Sequence, residues 1–241
     1  MDIVARNLCA QWRFNPLEEL PGGHCSRVYA DAHRVLKVPF QGEEMASGYV
    51  AAMRMSGTIG PTVYQGDPET GSILMERLIP GDKLATASED VGLDVISKLI
   101  PRIQKLPTVG CMPLADYVGD DPLATELLES SPEPTFLHGD LHQENVLRHG
   151  DAWVAIDPKG LIGDPHFEPT AFLRNPIDRL PELTEIHELL ANRIRIFSQR
   201  LNLDPWRICA WSLVDVKSFS GTQWQPVVDA LEAILETFPR Y

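Results

Sequence analysis

Residues 136–160 read FLHGDLHQENVLRHGDAWVAIDPKG, and this stretch decides what the rest of the chain must build. Phe136-Leu137 closes one apolar run, His138-Gly139-Asp140-Leu141 follows it, and Val146-Leu147 opens another. The polar turn Arg148-His149-Gly150-Asp151 leads into Trp153-Val154-Ala155-Ile156, which delivers Asp157 at its end. A glycine in such a turn lets two apolar runs fold back as a hairpin. Asp140 and Asn145 then stand before the first strand and Asp157 after the second. All three offer oxygen. A carboxylate within hydrogen-bond reach orients or deprotonates a hydroxyl. A carboxylate and an amide oxygen suit Mg²⁺, a hard cation that keeps part of its water.

This arrangement follows the logic of protein kinases. There a loop Asp serves the attacking hydroxyl, an Asn five residues on binds metal, and an Asp after the next strand binds metal too. The wording differs from theirs. His138-Gly139-Asp140 stands where protein kinases have His-Arg-Asp, and Ile156-Asp157-Pro158-Lys159-Gly160 replaces Asp-Phe-Gly. That pair of variants resembles the aminoglycoside phosphotransferase family of small-molecule kinases. IDPKGLIGDPHFE at 156–168, followed by LRNP at 173–176, is most similar to its branch of streptomycin 6-kinases and hydroxyurea phosphotransferases. The close match spans about Phe136 to Pro176.

The resemblance implies a protein-kinase-like bilobal fold, with ATP and Mg²⁺ as cofactors and transfer of the γ-phosphate to a hydroxyl of a small acceptor. In that arrangement Asp140 is catalytic, and Asn145 and Asp157 hold the metal. Lys37 reaches the α- and β-phosphates, steadied by a helix Glu. Ser26 approaches phosphate, and the backbone of Glu76 to Leu78 meets the adenine edge. Asp164 corresponds to the structural Asp that steadies the catalytic loop, while Glu168 and Arg174-Asn175 anchor the segment after the metal loop. An aminoglycoside such as streptomycin, or hydroxyurea, is the implied acceptor class.

The bulk properties are compatible with that reading. A chain of 241 residues with 44% hydrophobic content has length enough for a large core in one or two domains. No apolar run approaches the roughly 18 residues of a membrane span. The opening MDIVARNLCAQWRF scatters charge where a signal peptide would be apolar, so a cytoplasmic protein is expected. Cys9, Cys25, Cys111 and Cys209 stand far apart, which argues against zinc and a disulfide framework. A formal charge of −13 argues against nucleic acid as a partner and favours a cationic acceptor by long-range attraction.

Residues 1–20 show little periodicity and leave a short helix or a first strand open. Pro21-Gly22-Gly23-His24-Cys25-Ser26 is a turn, and Arg27–Ala30 and Arg34–Val38 form a hairpin around Asp31-Ala32-His33. Neither a Gly-x-Gly-x-x-Gly nor a Walker A sequence is present. Lys37 sits inside an apolar strand, where an ammonium is costly without a partner. Glu43 or Glu44 is the expected partner, with Glu44 preferred. The helix they open should bury Ala46, Val50 and Met53, flanked by Met45 and Tyr49, and end at Gly57. Further strands are expected at Pro61–Val63 and Ser72–Leu78, joined by a turn over 66–71.

The Ile79-Pro80-Gly81 break sets the expected boundary between an N-terminal nucleotide-binding lobe (1–80) and a C-terminal catalytic and substrate-binding lobe (81–241). Helices are expected at Glu89–Gln104, Pro122–Ser130, Glu182–Leu201, Pro205–Phe219 and Gln225–Phe238. In the first, Leu93, Ile96, Leu99, Ile100 and Ile103 recur at helical steps. The sum is an α+β protein: a small β-rich lobe and a larger helical one.

Single residues remain open to more than one role. His138 fits a buried hydrogen-bonding residue that holds its loop, and His142 the same. Lys159 is able to touch phosphate or to pair with Asp164 or Glu168. Glu185, Glu188 and Asp215 read as solvated helix positions. Two other function classes compete. Gly139-Asp140-Leu141-His142 resembles a metallophosphoesterase element, but the companion His and Asp motifs are missing from the sequence. A nucleotide-binding pseudokinase or regulator is disfavoured by the full set Lys37, Asp140, Asn145 and Asp157.

Overall fold

The computed structural model describes residues 1–20, 26–40, 42, 45–177, 180–182, 184–219 and 221–240. The N-terminal half of the polar machinery is carried by a five-stranded antiparallel sheet. Its strands are β1 (Glu18–Leu20), β2 (Ser26–Ala30), β3 (Arg34–Pro39), β4 (Val63–Asp67) and β5 (Ser72–Glu76), in the order β1-β2-β3-β5-β4. Side chains alternate between faces along a strand. Leu36 and Val38 of β3 therefore pack on one face with Ala5 and Leu8 of helix α1 (Ile3–Gln11), whose first turn is capped by Asp2. Val35 lies on the other face with Ile73 and Met75, against Tyr49 and Ala52 of helix α2 (Met45–Met55). Lys37 has the parity of Val35, so the sheet carries it on the α2 side.

The buried face of α2 is not the one expected. Ser47, Ala51 and Met55 are buried, whereas Ala46 and Met53 are exposed and Val50 is half-buried. Size explains the choice. A Cβ built on Gly160 would collide with the Ser47 carbonyl oxygen and lie 2.8 Å from the Ala51 Cβ, and one on Gly48 would lie 3.0 Å from the Pro158 oxygen. The helix lies so close to the segment after Asp157 that only small residues fit between them. The larger apolar residues of α2 are turned elsewhere.

Beyond the first sheet the chain enters β6 (Pro80–Lys83), then α3 (Glu89–Ile103), β7 (Met112–Pro113), α4 (Leu114–Val118) and α5 (Pro122–Glu129). It continues through β8 (Thr135–Leu137), β9 (Val146–His149), β10 (Ala152–Ala155), β11 (Leu161–Gly163) and α6 (Thr170–Leu173). It closes with α7 (Ile186–Leu201), α8 (Pro205–Lys217) and α9 (Gln225–Thr237). β9 and β10 form the expected hairpin, with Gly150 at φ +56° in its turn, and β6 joins them. β11 lies between β7 and β8. The five apolar positions singled out on α3 are all buried, in one core with α7, α8 and α9. Each such side chain contributes about 1.5–3 kcal/mol on burial. Local chemistry sets the ends: Asp121 and Asp204 accept from the amides of Ala124 and Trp206, each followed by a proline in the first helical position.

Several boundaries moved. The third long helix starts at Ile186 rather than Glu182, the strand expected at Pro61–Val63 lies instead at Val63–Asp67, and β5 ends at Glu76. The short β6, β7 and β11 carry no alternation long enough to be read in advance. The described helices include none long and apolar enough to cross a membrane.

Candidate active site

A cleft of about 800 Å³ opens between the first sheet and the β9–β10 hairpin. Ser26, Lys37, Asp140, Asn145, Asp157 and Lys159 all line it. Four separate elements deliver them. Ser26 opens β2, Lys37 projects from β3, Asp140 and Asn145 lie between β8 and β9, and Asp157 follows β10. The residue expected to steady Lys37, Glu44, lies outside the described residues, as do Glu43 and Gly22-Gly23. In the described structure the Lys37 Nζ pairs with Asp157 Oδ1 at 2.7 Å.

Glu76 and Leu78 are not gathered with the rest. The Glu76 amide donates to the Thr62 carbonyl at 2.8 Å, extending the sheet, and its carboxylate lies 3.4 Å from His149 Nε2. The cleft lining at this strand end is Met75.

The catalytic-type loop is held by backbone and side-chain contacts together. Gly139, at φ +80°, turns the chain where a Cβ would lie 2.8 Å from the Leu161 side chain. His138 is fully buried. Its Nε2 lies 3.0 Å from the Ile156 carbonyl, and its Nδ1 accepts from the Asp140 amide at 3.3 Å. That pattern requires the proton on Nε2, and burial pushes the imidazole down to about 4, so the ring is neutral. The Lys159 amide donates to the His138 carbonyl at 2.8 Å, tying the segment after Asp157 to the loop.

Asp140 is the hub of the loop. Its Oδ1 accepts from Arg174 Nη2 at 2.6 Å, and its Oδ2 from Asn145 Nδ2 at 3.1 Å. His142 Nε2 stands 3.6 Å from Oδ2. Burial works to raise this carboxyl, but the facing His142 and the charges of Arg174 and Lys159 outweigh it and hold it well below the ordinary carboxylate range. Such a group is a weak base. It stays ionised across the neutral range and accepts hydrogen bonds.

Asn145 uses its amide nitrogen on the Asp140 carbonyl at 3.0 Å as well as on the carboxylate, which leaves its oxygen to offer. Asp157 sits at φ +59°, a conformation uncommon outside glycine, and its carboxylate faces the same cleft. An amide oxygen and a carboxylate are the donor chemistry a magnesium ion takes, so the two residues fit that metal.

Two assignments behind the loop exchange places. Glu168, expected to anchor the following segment, accepts from the His138 amide at 2.7 Å and the Gly139 amide at 3.3 Å. It is the residue that steadies the loop. Burial raises its carboxyl to about 8, against the pull of those amides. Asp164, expected to steady the loop, accepts instead from Arg207 Nε at 3.0 Å, Trp211 Nε1 at 2.7 Å and the His166 amide at 3.0 Å. It ties α8 to the turn after β11. Both acids thus have other partners than Lys159, whose Nζ lies 5.2 Å from the Tyr117 ring centroid. Asp215, read as solvated, is buried on α8 beside Arg174. The contact of Arg174 with Asp140 was missed as well, because nothing in a linear spacing of 34 residues points one side chain at another. Among the described cysteines, Cys9, Cys111 and Cys209 are free thiols.

The fold is shared with solved small-molecule kinases. The aminoglycoside phosphotransferase APH(4)-Ia, solved as a ternary complex with ADP and hygromycin B, superposes with a TM-score of 0.61 at 15% identity, over 98% of each chain. The sheet, the hairpin and the cleft between them define a protein-kinase-like fold. Residues 94–227 match the model of the aminoglycoside/hydroxyurea antibiotic resistance kinases, and the chain belongs to that family. The streptomycin 6-kinase of Streptomyces griseus is 27% identical over 232 residues, covering 85% of this chain and 75% of the relative. The hydroxyurea phosphotransferase of Kitasatospora aureofaciens is 30% identical over 206 residues, covering 74% of this chain and 58% of the relative.

Proposed function

We propose that this kinase transfers the γ-phosphate of ATP to a hydroxyl of a small acceptor of the streptomycin or hydroxyurea type, and that Asp140 orients that hydroxyl. The observation that carries the reading is the convergence of Lys37, Asp140, Asn145 and Asp157 on one cleft from three separate segments of the chain. Asn145 and Asp157 are the residues that would hold Mg²⁺. The ion, when bound, neutralises phosphate charge. Lys37 would leave Asp157 for the α- and β-phosphates, an exchange of one anionic partner for another. Ser26, buried at the start of β2, lies where a phosphate would pass.

Because phosphoryl transfer is largely dissociative, the acceptor needs direction more than early deprotonation. An Asp140 held ionised by Arg174 and His142 suits that task. The boundary between nucleotide-binding and acceptor-binding lobes is placed near residue 80, where β5 has ended and β6 pairs with β9. The charge of −13 favours a cationic acceptor, and the use of ATP supports a cytoplasmic enzyme.

The test is incubation with labelled ATP and Mg²⁺ against streptomycin, other aminoglycosides, hydroxyurea and simple sugars, with Asp140→Ala as blank. Acceptor-dependent label transfer that the blank lacks is expected. Binding of ATP without transfer to any acceptor would instead make the protein a nucleotide-binding regulator.

A further inference from the structure

Arg174 occupies an unusual position behind Asp140. Its side chain is 8% exposed, and its two terminal nitrogens face two carboxylates. Nη2 donates to Asp140 Oδ1 at 2.6 Å, while Nη1 lies 3.2 Å from Asp215 Oδ2. The guanidinium also stands 5.7 Å from the centroid of the Phe219 ring.

The backbone that carries Arg174 is itself pinned. Nη1 of Arg193 on α7 donates to the carbonyls of Phe172, Leu173 and Asn175, at 3.0, 3.0 and 2.7 Å. These carbonyls bracket Arg174. Arg193 is in turn gripped by Glu89 of α3 through two hydrogen bonds, at 2.6 and 3.0 Å. Contacts from α3 through α7 therefore fix the backbone that carries Arg174, and the Arg174 side chain reaches from it to the oxygen of Asp140.

As a source of stability such an arrangement is inefficient, since burying guanidinium groups costs much of what their pairing returns. As a locating device it is well suited. The planar fork meets carboxylates in fixed geometry, which a lysine cannot reproduce. Arg174 holds Oδ1 of Asp140 from one side and Asn145 holds Oδ2 from the other, so rotation of the carboxylate is arrested. Further lone pairs remain on both oxygens for an incoming hydroxyl.

We propose that Arg174 is a positioning residue for phosphoryl transfer: mounted by Arg193 and backed by Asp215, it sets the direction in which Asp140 presents its carboxylate to the acceptor. This inference rests on the role given to Asp140 above. It extends the catalytic apparatus to Glu89, on a helix that does not line the cleft.

A double-mutant cycle tests it, with kcat and both KM values measured for the full chain, Arg174→Met, Asp140→Asn and the pair together. Arg174→Met should lower kcat about 100-fold, the cost of misplacing a reacting group by about 1 Å. The KM for ATP should stay within about twofold, because Arg174 does not line the nucleotide cleft. In the Asp140→Asn background the same substitution should change kcat by no more than about twofold. Arg174→Lys should recover part of the loss.

Additive losses, or a fallen kcat with a raised KM for ATP, a lowered unfolding midpoint and no recovery by lysine, would overturn the proposal. If Arg174→Met does not fold, Asp215→Asn and Arg193→Lys must show the same split between kcat and KM, and its absence there overturns it equally. Full turnover in Asp140→Asn would remove the role of Asp140 and this inference with it. Loss in Asp140→Asn with none in Arg174→Met would remove this inference alone.

Discussion

The lining of the cleft and the layer behind it hold their charges in opposite ways. In the cleft, Lys37 and Asp157 meet through one contact and keep 21% and 39% of their side-chain surface exposed. Behind it, Asp164 is fully buried among Arg207, Trp211 and His166, and Arg193 makes five hydrogen bonds at 2% exposure. Groups that must exchange partners during a reaction need water nearby and few bonds to break. Groups that define the shape of the site need the reverse. Asp140 lies on the border, partly exposed yet held from two sides.

This contrast predicts different kinds of damage. Asp164→Ala would take from Arg207 its carboxylate partner and from the buried Trp211 Nε1 its acceptor, and should cost about 3–5 kcal/mol of stability, read as a shifted urea midpoint. Loss under about 1 kcal/mol would show that the layer is less rigid than its bonding implies. Asp140→Asn should shift the balance: a smaller loss in the urea midpoint, because Arg174 keeps Asp215, but a fall in turnover of about 10²-fold, equivalent to about 2.7 kcal/mol. An undiminished rate would take Asp140 out of the reaction.

Gly160→Ala probes the seam between the regions. The added methyl meets the Ser47 carbonyl, so about 1–3 kcal/mol of overpacking strain is expected, together with a raised KM for ATP as α2 is pushed from the segment after Asp157. Unchanged nucleotide binding would detach α2 from the site.

A further effect concerns pH. Glu168 is raised from 4.5 to about 8 in the folded protein, so the native state keeps a proton that the unfolded chain has lost. Its contribution is complete below about pH 4.5 and declines as pH rises toward 8. Glu168→Gln should flatten that decline, seen as a smaller difference between urea midpoints at about pH 5.5 and 8.5. Equal slopes in the two proteins would mean that Glu168 does not carry the proton.

Much of the cleft was legible in one dimension. Asp140, Asn145 and Asp157 sit at fixed offsets around a hairpin, and a hairpin is a local structure, so their spacing in the chain becomes spacing in space. Lys37 was legible because an ammonium inside Val35-Leu36-Lys37-Val38 has to answer to something outside the strand. The layer behind was misread. Asp164 and Glu168 stand four residues apart, both acidic, both beside a proline, and nothing local says which turns toward the catalytic loop. The same limit applied to α2, where apolar size pointed to Ala46, Val50 and Met53 while close packing selected Ser47 and Ala51.

By itself, then, the order of residues determined the longer helices, the β9–β10 hairpin, the side chains that meet at the cleft and the class of chemistry, because periodicity, turns and short offsets act within a few residues. Only the tertiary structure decided which buried acid braces the loop and which arginine grips Asp140. Those choices join segments 30 or more residues apart, and they follow from how the helices pack rather than from any local preference of the chain.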